Sequence, residues 1–451
     1  MKKNPWVVPF VPGSRGDRYA HLERRALSQY IHGDSVIARA EFLKARMQEV
    51  FLCGVQVSSV LDHLLAIGEA HAQNYYGSVH EIVGALYRND PWGSATNPAV
   101  MLTGLAGTGK TQLLRAMRRL LLERVGHADL PGHKNLVIHP AWFMSLRDGS
   151  TLNALLRPYL MSDEEGSGGV EMRRQKDVKQ SQLLGLARRV SRRDGVCIIC
   201  LDEFQFITRS LQANTLAMAL LLQLLSIGPR LVYVANFSLA RRLMSRRQED
   251  RHRVLANHLE LLPDVADGAD FMNYVRELLL IAPSDFQFEA PEITPLVHRY
   301  SFGIKRAVVE LLVGAWIQCK SRRGGKADVT ESDLRAAYAS SGYLPFRSDV
   351  EALWRHSVGD ENIEPDLVNP LGVPSPTENV VVAQAAIDSF NRRANELHIE
   401  SMLTPRQLDA LNKLRPPDKD TLGPQKVRRL PMKAASKESM LDTFARIGRE
   451  S

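Results

Sequence analysis

Residues 104–111 read GLAGTGKT. Gly104, Gly109, Lys110 and Thr111 satisfy G-x-x-x-x-G-K-[ST]. In that pattern glycines let backbone N–H groups close round phosphates, the lysine reaches the outer phosphates, and the hydroxyl binds Mg²⁺. Gly107 and Thr108 fall inside the same turn and Gln112 follows it directly, so all three join the nucleotide-binding set. The flanks suit the chemistry. An apolar strand pattern, AVMLTG, precedes the turn, and a helical pattern, KTQLLRAMRRLLLERV, follows, so a helix N-terminus would point at the phosphates.

A second half of the site is expected at the end of a later buried strand, CIICLDEF. There Asp202 would hold Mg²⁺, usually through water, and Glu203 would polarise the water that attacks the γ-phosphate. An adjacent acidic pair favours hydrolysis over kinase chemistry. Asn236 ends the next apolar run, LVYVANF, where a side-chain amide would reach the attacking water or the γ-phosphate; the alternative is a turn asparagine.

These residues need elements to hold them. From residue 98 onward, apolar runs alternate with helical patterns: AVMLTG, a helix, NLVIHPAW, two helices, GVCIICLDEF, a helix, and RLVYVANF. Continuous Val/Ile/Leu strands alternating with helices imply a parallel sheet covered on both faces. The segment 1–75 is expected as an N-terminal helical extension, with DRYAHLERRALSQYI and SVIARAEFLKARMQEVF both helical, and offers a surface for a partner. The nucleotide-binding α/β domain is expected over 76–290, an α-helical lid over 291–345, and a linker, a helix and a basic tail over 346–451.

Composition narrows the class. With 451 residues, 44% of them hydrophobic and 24% charged, the chain has enough apolar material for a substantial core. The net charge of +8 suits a polyanionic partner. Four cysteines make no disulfide framework, which fits a reducing cytoplasm. Cys197 and Cys200 are expected on opposite faces of a strand, as packing residues rather than metal ligands. Prolines at 5, 9 and 12 break the only leader-like stretch, and no apolar run approaches the roughly 20 residues that span a bilayer. The expectation is a cytoplasmic protein without a membrane partner.

Taken together, the 104–111 turn, LDEF, the strand-end Asn236, the arginine-rich SLARRLMSRRQEDRHRVLANHLELLPD and a helical segment containing SFGIKR resemble the AAA+ ATPases. The succession LDEFQ, GPRLVYVANFSLARRL and RRQEDRHRVLANHLELLPD is most similar to the TnsC/TniB transposition regulators. That resemblance covers about 85–345. It implies an ATP- and Mg²⁺-dependent ATPase that forms rings or filaments round duplex DNA. It also implies links from a target-selection protein of the TniQ/TnsD kind to transposase subunits, and disassembly on hydrolysis. By the same resemblance, Asp202 and Glu203 are the Walker B pair and Asn236 is the sensor. The arginine acting on a neighbouring subunit's nucleotide lies among Arg246, Arg247, Arg251 and Arg253, with Arg251 favoured. Gly303 and Arg306 resemble a second sensor, with Lys305 beside them as the other candidate base.

DNA contacts are argued by position between the two acidic and glycine-rich motifs. Arg147 and Thr151 in SLRDGSTLNALLRPY, and Arg173, Arg174, Lys176 and Lys179 in MRRQKDVK, are the candidates for backbone phosphates. Met440, Leu441, Phe444 and Ile447 near the end share a helical spacing that suits a docking peptide. Two alternatives stay open: a scaffold or signalling ATPase without a DNA role, and a DNA-translocating motor.

Overall fold

The computed structural model describes residues 4–11, 18–27, 33–87, 97–130, 132–146, 151–160, 180–204, 213–324, 327–359 and 363–372. The chain divides into two units, Met1–Ala383 and Gln384–Ser451, and every described residue lies in the first. The strands are β1 (Val100–Thr103), β2 (Gly126–Leu130), β3 (His133–Ile138), β4 (Ala141–Ser145), β5 (Ile198–Asp202), β6 (Arg230–Val234) and β7 (Asn257–Glu260). The first seven helices are α1 (Val36–Glu49), α2 (Val55–Tyr75), α3 (Val79–Tyr87), α4 (Lys110–Leu122), α5 (Leu152–Leu160), α6 (Gln180–Arg193) and α7 (Ala213–Leu225). The remaining ones are α8 (Phe237–Met244), α9 (Gln248–Leu255), α10 (Ala269–Leu279), α11 (Ala290–Ser301), α12 (Lys305–Arg323), α13 (Glu331–Ala339) and α14 (Leu344–Ser357).

Five strands form a parallel sheet in the order β4-β5-β6-β1-β7. Alternation along β5 sorts its side chains between two layers. Ile198 and Cys200 pack with Leu61, Leu64 and Leu65 of α2 and with Leu113 and Met117 of α4. Ile199 and Leu201 pack on the other face with Leu155, Leu186, Leu221 and Leu239. Burial of both faces is why these strands read as unbroken apolar runs.

A third cluster is helical, built from α10, α11, α12 and α13 around Trp316, Phe271 and Leu312. Helix α1 joins this cluster through Ala40, Leu43 and Met47, and its Lys44 pairs with Glu310 of α12 at 2.6 Å. Helix α2, immediately following, belongs to the sheet layer instead. No helix among the described residues is long and apolar enough to cross a membrane.

Four readings of the sequence need correction. NLVIHPAW is two elements: β3 pairs antiparallel with β2 in a separate hairpin, and β4 enters the main sheet after Pro140. Proline lacks the N–H that a ladder needs, so the chain breaks there. Part of DRYAHLERRALSQYI is a 3-10 turn, Ala20–Leu22, followed by extended chain whose Arg24 bridges Phe51. The polar strand β7 was not expected at all, because NHLE at a sheet edge carries no apolar run. Finally, Cys197 and Cys200 share one apolar cluster rather than opposite faces, since Cys197 lies just before the regular strand. Both are free and buried, and burial pushes both thiols up, as suits packing residues.

Candidate nucleotide-binding site

The 104–111 turn leaves the carboxyl end of β1 and enters α4 at Lys110. Gly104, Gly107 and Gly109 all adopt positive φ, at 141°, 92° and 106°, a region where side chains are strained. A Cβ on Gly104 would stand 2.3 Å from the Leu261 carbonyl oxygen, and one on Gly107 would meet Arg306 at 2.7 Å. The cradle therefore exists only because these positions lack side chains. The Lys110 ammonium is buried within it and donates to the carbonyl oxygens of Gly104 and Leu105 at 2.8 and 2.6 Å. Burial, and secondarily Arg306, pull its pKa down to about 8.

The parallel register brings the second half alongside. Thr111 Oγ1 lies 3.4 Å from Asp202 Oδ1, so two oxygens face each other across the site. Such a pair fits Mg²⁺, which keeps several of its waters and takes one or two protein ligands. Burial raises the Asp202 pKa, opposed by hydrogen bonds from the Glu203 amide at 2.7 Å and from Thr111. Glu203 holds a positive φ of 62°, unusual for a residue with a side chain, and its carboxylate accepts from Ser145 Oγ at 3.4 Å. Asn236 follows β6, the strand between those of Asp202 and the cradle. Its Oδ1 accepts from Leu239 N at 3.3 Å and caps α8.

The helical layer closes over the glycines. The Arg306 amide donates to Gly107 O at 3.2 Å, and Leu105 packs with Ile304 and Ala307. Lys305 lies 3.7 Å from Asp264 Oδ2, while the Gly303 carbonyl accepts from Asp264 N at 3.2 Å. Both bases in SFGIKR border the cradle, Arg306 beside Gly107 and the Lys305 side chain 3.8 Å from where a Cβ on Gly109 would stand. Gln112 donates to Gln48 O at 3.1 Å, tying the P-loop helix to the end of α1.

Residues 94–243 match the family model described as an AAA domain. The chain is also similar to several solved structures. One is a Walker-type ATPase of Pyrococcus abyssi, at 15% identity over 69% of this chain and 77% of that one, with a TM-score of 0.37. Another is the Orc1 protein of Aeropyrum pernix in complex with DNA, at 17% identity over 76% and 81%, TM-score 0.35. A third is domain III of the replication initiation protein DnaA of Thermotoga maritima, at 14% identity over 59% and 90%, TM-score 0.33. No curated protein matches the sequence.

Around the matched segment the remaining candidates are placed as follows. Arg246 donates to Thr215 Oγ1 at 3.2 Å, and Arg251 donates to Met244 O at 3.3 Å with its Nε buried and unpartnered. Arg253 is half-buried, and its carbonyl accepts from Ala99 N at 2.8 Å at the start of β1. Arg247 is exposed at the N-cap of α9. Thr108 is buried and donates to Leu105 O at 3.0 Å. Thr151 is exposed and accepts from Ala154 N at 3.2 Å at the start of α5. Arg147, Arg173, Arg174, Lys176 and Lys179 lie outside the described residues, as do Met440, Leu441, Phe444 and Ile447.

Three contributors escaped the sequence reading. Ser145 is opposite Asp202 in the β4–β5 register, Glu260 ends β7 beside Thr103 of β1, and Asp264 pairs with Lys305 at the start of α12. Only the strand register reveals the first two, because neither belongs to a motif.

Proposed function

We propose that the chain is an ATP-driven switch that assembles on duplex DNA and regulates transposition. The observation that carries the ATPase reading is the convergence of Lys110, Thr111, Asp202 and Glu203 at the carboxyl ends of β1 and β5. Asn236 follows the intervening strand. The glycine cradle and the Lys110 ammonium bind and orient the polyphosphate. Mg²⁺ held by Thr111 and, through water, by Asp202 would neutralise charge on the phosphate oxygens. Glu203 takes the proton of the attacking water as the new O–P bond forms and the bond to ADP breaks. Asn236 positions that water, and Arg306 faces the phosphates from the lid.

The DNA and transposition parts rest on the resemblance to TnsC/TniB regulators and on the net charge of +8. On that reading a homo-oligomer, a ring or a filament, forms when ATP is bound. An arginine from α9 of one subunit, Arg251 or a neighbour, reaches the next subunit's γ-phosphate. Transposase subunits and a TniQ/TnsD-like target-selection protein are the protein partners, in the cytoplasm. Negative-stain imaging with duplex DNA, in parallel with ADP and a non-hydrolysable ATP analogue, tests it. Rings or filaments with the analogue alone support the switch; absence of assembly in both overturns the DNA reading and leaves a scaffold ATPase.

A further inference from the structure

After α14 the chain does not leave the molecule. Residues 363–372 run back from the helical layer to the sheet, with a 3-10 turn, Pro365–Leu367, on the way. Ile363 and Leu367 pack against the cluster that contains α12, whereas Leu371 packs against the sheet cluster that contains β5 and β6. One ten-residue strap thus touches both layers. Its polar anchors lie on elements of the nucleotide site. Arg241 of α8 donates to Pro365 O at 2.9 Å, and Asn369 Nδ2 donates to Glu260 Oε2 at 2.7 Å. The Asn369 carboxamide also accepts from Leu371 N at 2.9 Å, which locks the turn.

Each anchor faces the nucleotide through a short chain of contacts. Helix α8 starts at Asn236, whose Oδ1 caps it. Glu260 pairs in register with Thr103, the residue before the cradle, and its charge acts on Lys110. On the lid side, Arg306 N is bonded to Gly107 O. Lys110 donates to two loop carbonyls. Phosphates that draw Lys110 off those carbonyls and open the Gly107–Arg306 contact would move the helical layer relative to the sheet. A strap fastened to both cannot follow both.

We propose that residues 363–372 form a nucleotide-sensitive strap that loosens when ATP occupies the cradle. It thereby passes the state of the site to the segment that follows, 373–451. This rests on the ATPase reading above. The amides of Leu367, Val368, Leu371 and Gly372, bonded within the strap to Glu364 O, Pro365 O, Asn369 Oδ1 and Asn369 O, report on it. Hydrogen exchange of the full chain is followed without nucleotide and with a non-hydrolysable ATP analogue, while a fluorescent ATP analogue measures occupancy under the same conditions. Expected are about tenfold faster exchange of these amides on nucleotide binding, unchanged exchange in the middle of α12, and fast exchange in both states for Asn369→Ala. Measured occupancy with unchanged strap exchange overturns the strap and leaves the ATPase reading intact. Absence of nucleotide binding overturns both.

Discussion

Gly104 turns the chain out of β1 at φ 141° with the Leu261 carbonyl pressed against it. Gly104→Ala therefore forces both a strained backbone and a shift of the strand end after β7, and should cost about 3 kcal/mol or more, read as a lowered urea midpoint. Lys110→Ala keeps the backbone cradle but removes its only buried ammonium, so nucleotide affinity should fall at least about a hundredfold in a fluorescence titration. Glu203→Gln should retain that affinity and lose turnover by a similar factor, and on the proposed DNA-switch function any DNA-bound oligomers it forms should persist. Asn236 caps α8, and the proposed mechanism adds a second duty that substitution can separate from the first. Asn236→Asp keeps an acceptor for Leu239 N, so stability should stay within about 0.5 kcal/mol while hydrolysis drops more than about tenfold. Asn236→Ala should also cost about 1 kcal/mol through the lost cap.

The edge strand β4 exposes its backbone on one side, and α5 covers it. Tyr159 Oη accepts from Phe143 N at 3.0 Å and donates to Phe143 O, with its ring stacked on Trp142. Tyr159→Phe leaves both backbone groups at the edge short of a partner, so it should destabilise by about 1–2 kcal/mol in urea unfolding. Nothing in NALLRPYL announces that duty, which shows where the sequence stops being legible. Strands β1, β5 and β6 were readable because both faces are buried and every position is apolar except at one end of each, where Thr103, Asp202 and Arg230 stand. The glycine turn and the acidic pair were readable because their chemistry requires fixed spacings. Strand β7 and the β2–β3 hairpin were not, since an edge strand needs no apolar run and a hairpin covered on one side looks like a loop. Likewise α1 shows an amphipathic pattern, but the pattern cannot say that α12 rather than the sheet is its partner. Ser145 and Glu260 gain their places from register alone.

At the scale of the molecule, the layer between sheet, α2 and α4 contains His71, which is 2% exposed and next to Tyr75. Burial, with a smaller push from Arg230, lowers its pKa to about 3. The folded chain thus binds this proton less well than the unfolded chain, whose value is about 6.5. The contribution to stability is complete above pH 6.5 and is lost progressively as pH falls towards 3. Between pH 7 and pH 5 the loss should be about 2 kcal/mol, and His71→Leu should remove that part of the slope when urea midpoints are compared at the two values. The order of the sheet also governs how the protein comes into being. Strand β1 carries the phosphate turn, yet its outer neighbour β7 is among the last parts of the sheet to be synthesised, well beyond residue 243 where the AAA match ends. While the chain emerges from a ribosome, β1 holds a bare backbone edge until Asn257–Glu260 follows. A fragment cut to 94–243 would keep that edge permanently and would also lack α2 over Val100 and Leu102. It should therefore aggregate rather than fold, and the smallest self-sufficient unit around the cradle is larger than the segment that matches the family model.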